Sequence, residues 1–395
     1  MTTGCWPLFW LRLRRSARRP TLAATYRFGD VVNTRFAKSP RRGPAALAAF
    51  SLFLAGLCAG SAPLAASQLY SLVDFSFEDG SILPDLRIAY DTKGTLSPAR
   101  DNAILLMPGA VNDRHVFDPL IGPGRTFDTD RYFVITVDPL GGGESSSPAD
   151  GLGQDFPRYT IRDMMEAQQA LVTKGLGIAR LRAVVGMSMG SFVGLEWGIH
   201  HPESAAGLIL LAPGPKADPG FQLTVDLISA TIALDPEWQG GSYAHNPVEG
   251  LRHAGMLFYP WVVSSAYIDR VAPRELATEL EAAAQAFAAW DANALVLRHA
   301  AYRAHDVAAL YDGDMRAALA RLKAPTLLLA SASDRFVGID GARRIRDGIP
   351  QATYAEIPSD LGHRAVRGMP GTPEGDFIDR QVRGFLAILT GSPAD

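Results

Sequence analysis

The sequence predicts an α/β protein: a mostly parallel β-sheet flanked by helices, with a helical lid inserted ahead of the last strands. Three observations carry this expectation. From about residue 70, short apolar runs alternate with helical patterns, as strands buried on both faces by helices do. A Gly186-Met187-Ser188-Met189-Gly190 turn joins one apolar run directly to a helical stretch. Between Pro213 and Leu322 strand signals stop and alanine-rich helical segments replace them.

The chain opens differently. Lys38, Arg41 and Arg42 precede an apolar run from Ala45 to Leu57, and small residues follow at Ala59-Gly60-Ser61-Ala62 and Ala65-Ala66-Ser67. That order of basic, apolar and small-residue segments is a secretory signal over about residues 36–67, and the apolar run is too short to span a bilayer. Residues 1–67 are therefore expected to be an N-terminal extension with a signal peptide, and the mature protein to be periplasmic or secreted. Lipid attachment at Cys58 is the weaker reading, because Leu57 precedes it where a small residue belongs. The arginine-rich residues 1–37 suggest a start codon placed too early, with Val31 or Val32 as the alternative.

Residues 68–213 form the first part of the expected core, with strands over 86–90, 103–107, 132–137, 182–186 and 207–211, each bounded by Gly, Pro or Asp. Ile161, Met164, Met165, Gln168 and Leu171 recur at helical spacing, so 160–173 is expected to be a helix that Thr160 and Asp163 cap. Residues 214–322 are the lid, with helices over 274–290 and 291–305; alanine at most of the apolar positions of 275–289 favours a packed helix over a coiled coil. Residues 323–395 supply strands over 326–330 and 353–357 and a C-terminal helix.

Composition excludes several roles. A net charge of -3 over 395 residues offers no basic face for a nucleic-acid backbone. The only cysteines, Cys5 and Cys58, lie upstream of the folded part, so no thiol serves catalysis, metal binding or a disulfide. The eight histidines include no H-x-x-x-H pair, so no metal is expected, and no cofactor either. The expected partner is a small-molecule acyl ester, with no stable membrane span in the mature chain.

The segment Gly186–Gly190 fits the G-x-S-x-G pattern in a strand-turn-helix setting, which exposes a serine hydroxyl at the head of a helix. Backbone N–H groups there favour negative charge on an attacking oxygen. A serine hydroxyl is a weak nucleophile at neutral pH and needs a base, and the base needs a carboxylate to orient it. Asp334, just past the 326–330 strand, and His363, just past the 353–357 strand, supply them in the order Ser, Asp, His. Asp340 is the competing carboxylate; no histidine other than His363 lies beyond Asp334. The expected oxyanion hole combines the N–H of Met189 with that of Ala110, in the loop after the 103–107 strand. His115 on that loop is expected to be incidental.

Further stretches are more specific than the elbow. They are Ile121-Gly122-Pro123-Gly124, the run Phe127-Asp128-Thr129-Asp130-Arg131-Tyr132-Phe133-Val134-Ile135, Tyr159-Thr160-Ile161-Arg162-Asp163-Met164, Leu195-Glu196-Trp197 and Asp235-Pro236-Glu237-Trp238. With them, the chain from about Phe75 to Leu389 resembles the homoserine O-acetyltransferase-like branch of the α/β-hydrolase superfamily. The resemblance implies an α/β-hydrolase fold, a triad at Ser188, Asp334 and His363, ping-pong acyl transfer and a possible homodimer.

Two positions depart from the family pattern. The family places an arginine shortly before the D-P-x-W segment to hold the amino-acid carboxylate; Leu227 to Ile232 contain none. The family's histidine is followed by an aspartate that suits the substrate ammonium; here Arg364 follows His363. An unpaired buried charge costs on the order of several kcal/mol, so such a site should reject homoserine. Asp138-Pro139-Leu140-Gly141-Gly142-Gly143-Glu144-Ser145 resembles a D-x-x-G-x-G-x-S pattern common among hydrolases, and an exported enzyme meets little acetyl-CoA. The expectation is thus a serine esterase acting through an acyl-enzyme on Ser188, with O-acyl transfer of the homoserine O-acetyltransferase type as the alternative and a non-catalytic binding protein as a third reading.

Overall fold

The computed structural model describes residues 67–390, so the signal segment, both cysteines and the alternative start lie outside the described residues. One sheet of eight strands organises them: β1 (Gln68–Ser76), β2 (Ile82–Lys93), β3 (Ala103–Met107), β4 (Phe133–Val137), β5 (Ala183–Met187), β6 (Leu208–Leu211), β7 (Thr326–Ala330) and β8 (Ala352–Glu356). Their spatial order is β1-β2-β4-β3-β5-β6-β7-β8. The β1–β2 and β2–β4 pairs are antiparallel and the remaining neighbours are parallel.

The apolar runs become strands because side chains alternate between two buried faces. In β3, Ala103, Leu105 and Met107 join a cluster that holds Met164, Phe192 and Trp197. Ile104 and Leu106 turn to the opposite cluster with Phe117, Val382 and Phe385. Each fully buried leucine or isoleucine contributes about 2 kcal/mol by leaving water.

All seven expected strands are present, with ends displaced by a residue or so and β2 running further at both ends. Sequence reading missed β1. Its packed residues Tyr70 and Leu72 follow the period of two, but Asp74 takes φ 50° and the apolar set continues one position out of phase at Phe75. A kink of this kind hides the alternation.

Helices α1 (Ile161–Ala170) and α2 (Met189–His200) pack against each other, α2 against β5 and β6. The Thr160 hydroxyl accepts the N–H of Asp163 at 3.1 Å and the Asp163 carboxylate accepts that of Thr160 at 2.8 Å, the reciprocal cap expected. Regular helix stops earlier than expected: Leu171–Gly175 widens into a π turn, where the Thr173 hydroxyl bonds back to the Gln169 carbonyl.

Between β6 and β7 the chain forms the lid: α3 (Pro219–Ala233), α4 (Val248–Val262), α5 (Ser265–Arg270), α6 (Pro273–Ala288), α7 (Ala292–Arg303) and α8 (Met315–Leu319). The alanines of α6 let it lie along α4. Helices α9 (Asp340–Gly348) and α10 (Pro373–Thr390) complete the fold, and α10 closes the face opposite α1 and α2. Among the described residues no helix is long and apolar enough to cross a membrane.

Candidate active site

Ser188 is the single residue between β5 and α2, at φ 54° and ψ -119°, a region that side-chain-bearing residues rarely occupy. Its N–H donates to the Leu211 carbonyl at 2.8 Å, and its own carbonyl accepts the Ser191 hydroxyl at 2.5 Å. The two glycines of the motif are required by contact. A Cβ at Gly186 would stand 2.1 Å from the Gly190 carbonyl oxygen, and one at Gly190 would stand 2.1 Å from that of Met107. Strand, turn and helix thus meet too tightly at these two positions for any side chain.

The structure brings the three expected side chains together at the carboxyl ends of β5, β7 and β8. His363 Nε2 lies 2.8 Å from Ser188 Oγ, and His363 Nδ1 lies 2.7 Å from Asp334 Oδ2. Asp334 is buried, and its Oδ1 accepts the N–H groups of Phe336 and Val337. The Phe336 ring stands edge-on to the imidazole at 5.3 Å. Asp340 plays no part, since it starts α9 and its exposed carboxylate faces Arg343.

Ala110 and Ser188 line one cavity, and Met189 opens α2 immediately after the serine. Among the described residues neither the Ala110 nor the Met189 N–H has a hydrogen-bond acceptor on the chain, so both stay available to an oxyanion. The loop carrying Ala110 is anchored from below. Buried Asp138 accepts the backbone N–H of Arg114 at 2.8 Å and its guanidinium at 2.5 Å, and that guanidinium also reaches Asp91 and Glu144.

The cavity holds about 270 Å³ and is walled mainly by Ala283, Ala286, Phe287, Phe258, Val262 and Met187. Of the aromatics on the lid helices α4 and α5, Phe258 and Tyr259 line it. Trp261 and Tyr267 do not: Trp261 lies under Arg335, and Tyr267 hydrogen-bonds Glu279. His115 faces the adjoining cleft beside Asn112 and Gly142 and pairs with Asp118.

Arg364, beside the catalytic-type histidine, pairs with Glu279 and stacks over Tyr267. Burial opposes ionisation of Glu279, but hydrogen bonds from Tyr267, Tyr259 and Arg364 outweigh it and hold the carboxyl below its ordinary range. The charge of Arg364 is therefore already answered.

Three contributors were not legible beforehand. Tyr302 on α7 places its hydroxyl 3.5 Å from Ser188 Oγ. His299, one turn earlier, lines the cavity. Arg298 donates to the Gly141 carbonyl and stacks on Trp290; a Cβ at Gly142 would stand 1.9 Å from its guanidinium. The glycine run after Asp138 thus serves close packing. The helical period of 291–305 was the only available signal, and it marks an inward face without saying what that face meets.

Comparison with known proteins places this geometry. The family model for the alpha/beta hydrolase fold matches residues 102–365. Homoserine O-acetyltransferase of Leifsonia xyli subsp. xyli is 32% identical over 83% of this chain and 91% of its own. Homoserine O-succinyltransferase of Laribacter hongkongensis is 34% identical over 72% of this chain and 87% of its own. Among solved structures, an acetylester hydrolase from Corynebacterium glutamicum superposes with a TM-score of 0.76 at 25% identity, covering 81% of this chain and 95% of that one. Homoserine O-acetyltransferase from Bacillus anthracis gives 0.73 at 26%, covering 81% and 97%.

Proposed function

Since the chain belongs to the α/β-hydrolase family, in the branch that includes the homoserine O-acyltransferases, we propose that it moves acyl groups through Ser188 and that its ordinary acceptor is water. Ser188 Oγ attacks an ester carbonyl while His363 Nε2 takes its proton and passes it to the leaving alcohol. Asp334 holds the Nδ1–H and stabilises the imidazolium. The N–H groups of Met189 and Ala110 receive the oxyanion. Water, deprotonated by His363, then cleaves the acyl-enzyme and restores the serine. The observation that carries the reading is the unbroken Ser188–His363–Asp334 relay, with spacings of 2.8 and 2.7 Å, at the floor of a mostly apolar cavity.

The acceptor is argued from the groups around His363. An amino-acid acceptor brings an ammonium and a carboxylate into the site. Glu279, the carboxylate on the cavity wall, is already engaged by Arg364, Tyr259 and Tyr267, and α3 contains no arginine. The fit to a solved acetylester hydrolase supports the same reading. Export of the mature chain, expected from residues 36–67, agrees with it, since acetyl-CoA is a cytoplasmic donor.

The second reading is O-acyl transfer to a hydroxyl acceptor. The names of the sequence relatives, homoserine O-acetyl- and O-succinyltransferases, support it more directly than they support hydrolysis. A product assay separates the two. The purified enzyme receives a short acyl ester with and without homoserine, and acetyl-CoA as a second donor. Hydrolysis predicts acid release that ignores homoserine; acetylhomoserine accumulating at a comparable rate would establish transfer instead. Failure of a fluorophosphonate to label Ser188 would sink both.

A further inference from the structure

His299 is buried to 1% exposure, and both of its ring nitrogens lack a hydrogen-bond partner among the described residues. It is also part of the wall of the cavity that opens at Ser188. Its neighbours on that wall are hydrocarbon: Phe287, with ring centroids 6.4 Å apart, and beyond it Phe258, Ala283 and Ala286. A buried imidazole with neither nitrogen satisfied is costly, and no side chain of the lid answers it. The unanswered group therefore points to something that enters the cavity.

The ring is neutral at physiological pH, because burial and the nearby Arg298 push its pKa down to about 3. A neutral imidazole has one N–H donor and one lone-pair acceptor. An alcohol hydroxyl can accept from the protonated nitrogen or donate to the bare one, so it can answer either side of the ring. A carboxylate has only acceptors and would also lose its hydration against apolar walls. Of the two arginines that line the cavity, Arg364 is paired with Glu279, so a carboxylate would be drawn to Arg367 rather than to the imidazole.

We infer that His299 is a specificity-determining residue that hydrogen-bonds a hydroxyl group on the part of the substrate occupying the inner cavity, so that hydroxylated esters are preferred over their hydrocarbon counterparts. This rests on the acyl-enzyme reading above. The hydroxyl can belong to the acyl chain or to the alcohol, and the test has an arm for each.

In the acyl arm, kcat/KM is measured for p-nitrophenyl butanoate and p-nitrophenyl 3-hydroxybutanoate; in the alcohol arm, for ethyl acetate and 2-hydroxyethyl acetate. Wild type is compared with His299→Leu and His299→Asn. The expected result is a fall of about tenfold in the hydroxylated-to-plain ratio for His299→Leu in one arm, the worth of one hydrogen bond, with partial recovery in His299→Asn. The arm that responds tells which side carries the hydroxyl. A merely structural His299 lowers both esters of each pair in parallel, and unchanged ratios in both arms overturn the inference. Failure of the underlying reading looks different: wild type turns over none of the four esters and Ser188 takes no fluorophosphonate.

Discussion

His363 Nδ1 lies 2.7 Å from Asp334 Oδ2, while the other oxygen of that carboxylate is held by the backbone N–H groups of Phe336 at 2.8 Å and Val337 at 3.1 Å. The aspartate is thus fixed by its own loop before it meets the histidine, so it can impose one tautomer on the ring. Asp334→Asn keeps the shape and loses that control. We expect kcat to fall by about 10⁴-fold with the melting temperature little changed. A loss below tenfold in steady-state turnover would mean that the pair has no catalytic role.

The backbone of Ser188 sits in a region that costs about 1–3 kcal/mol for a residue with a Cβ. Glycine escapes most of that cost, although it adds freedom to the unfolded chain. Of two variants without a hydroxyl, Ser188→Gly should therefore be more stable than Ser188→Ala by about 1 kcal/mol in chemical denaturation. Equal stability would show that the elbow stores no strain.

How much could be read beforehand follows from which signals are local. Strands buried on both faces read as apolar runs between turn residues, so the sheet was visible; β1 was not, because Asp74 interrupts its alternation. Ser188, Asp334 and His363 were visible because each follows a strand and their order along the chain is fixed by the fold. His299 and Tyr302 were hidden for a different reason. The helical period of α7 shows an inward face, but only the seating of the lid decides that this face meets a cavity and the nucleophile rather than solid core. The Arg114–Asp138 pair joins two loops and leaves no periodic trace.

Tyr302 tests whether proximity to the nucleophile means participation. Its hydroxyl is 3.5 Å from Ser188 Oγ, at the outer limit of a hydrogen bond, whereas the imidazole is at 2.8 Å. Geometry makes the histidine the base and leaves the tyrosine a weak donor. Tyr302→Phe should lower kcat less than tenfold, and a loss near that of a triad variant would reverse this assignment.

Asp138 and Arg114 are both buried, and their pair anchors the loop that presents Ala110. Removing Asp138 leaves Arg114 to Asp91 and Glu144 and takes the acceptor from the backbone N–H groups of Arg114 and Glu144, which costs about 1–3 kcal/mol. Asp138→Ala is expected to lose that much in urea unfolding and to lower kcat as well, since the loop loses its anchor. Full stability with full activity would show that the pair does not hold the loop.

Acid should weaken the fold through His299, and the sign follows from where its proton binds. Above about pH 6.5, the ordinary histidine value, the ring is neutral in both folded and unfolded chains and exerts no pull. Below that, the unfolded chain takes up a proton that the folded chain refuses until about pH 3, because burial and Arg298 disfavour the cation. Stability therefore falls as pH drops through this window, by about 1.4 kcal/mol per pH unit for this one group. His305, buried beside Glu196 with its pKa also lowered by burial, contributes in the same direction. His299→Leu deletes one proton from the difference. Urea titrations between pH 6.5 and 4.5 should show the variant losing stability less steeply than wild type by that amount. Identical slopes would mean that the imidazole is protonated, or reached by water, in the folded protein.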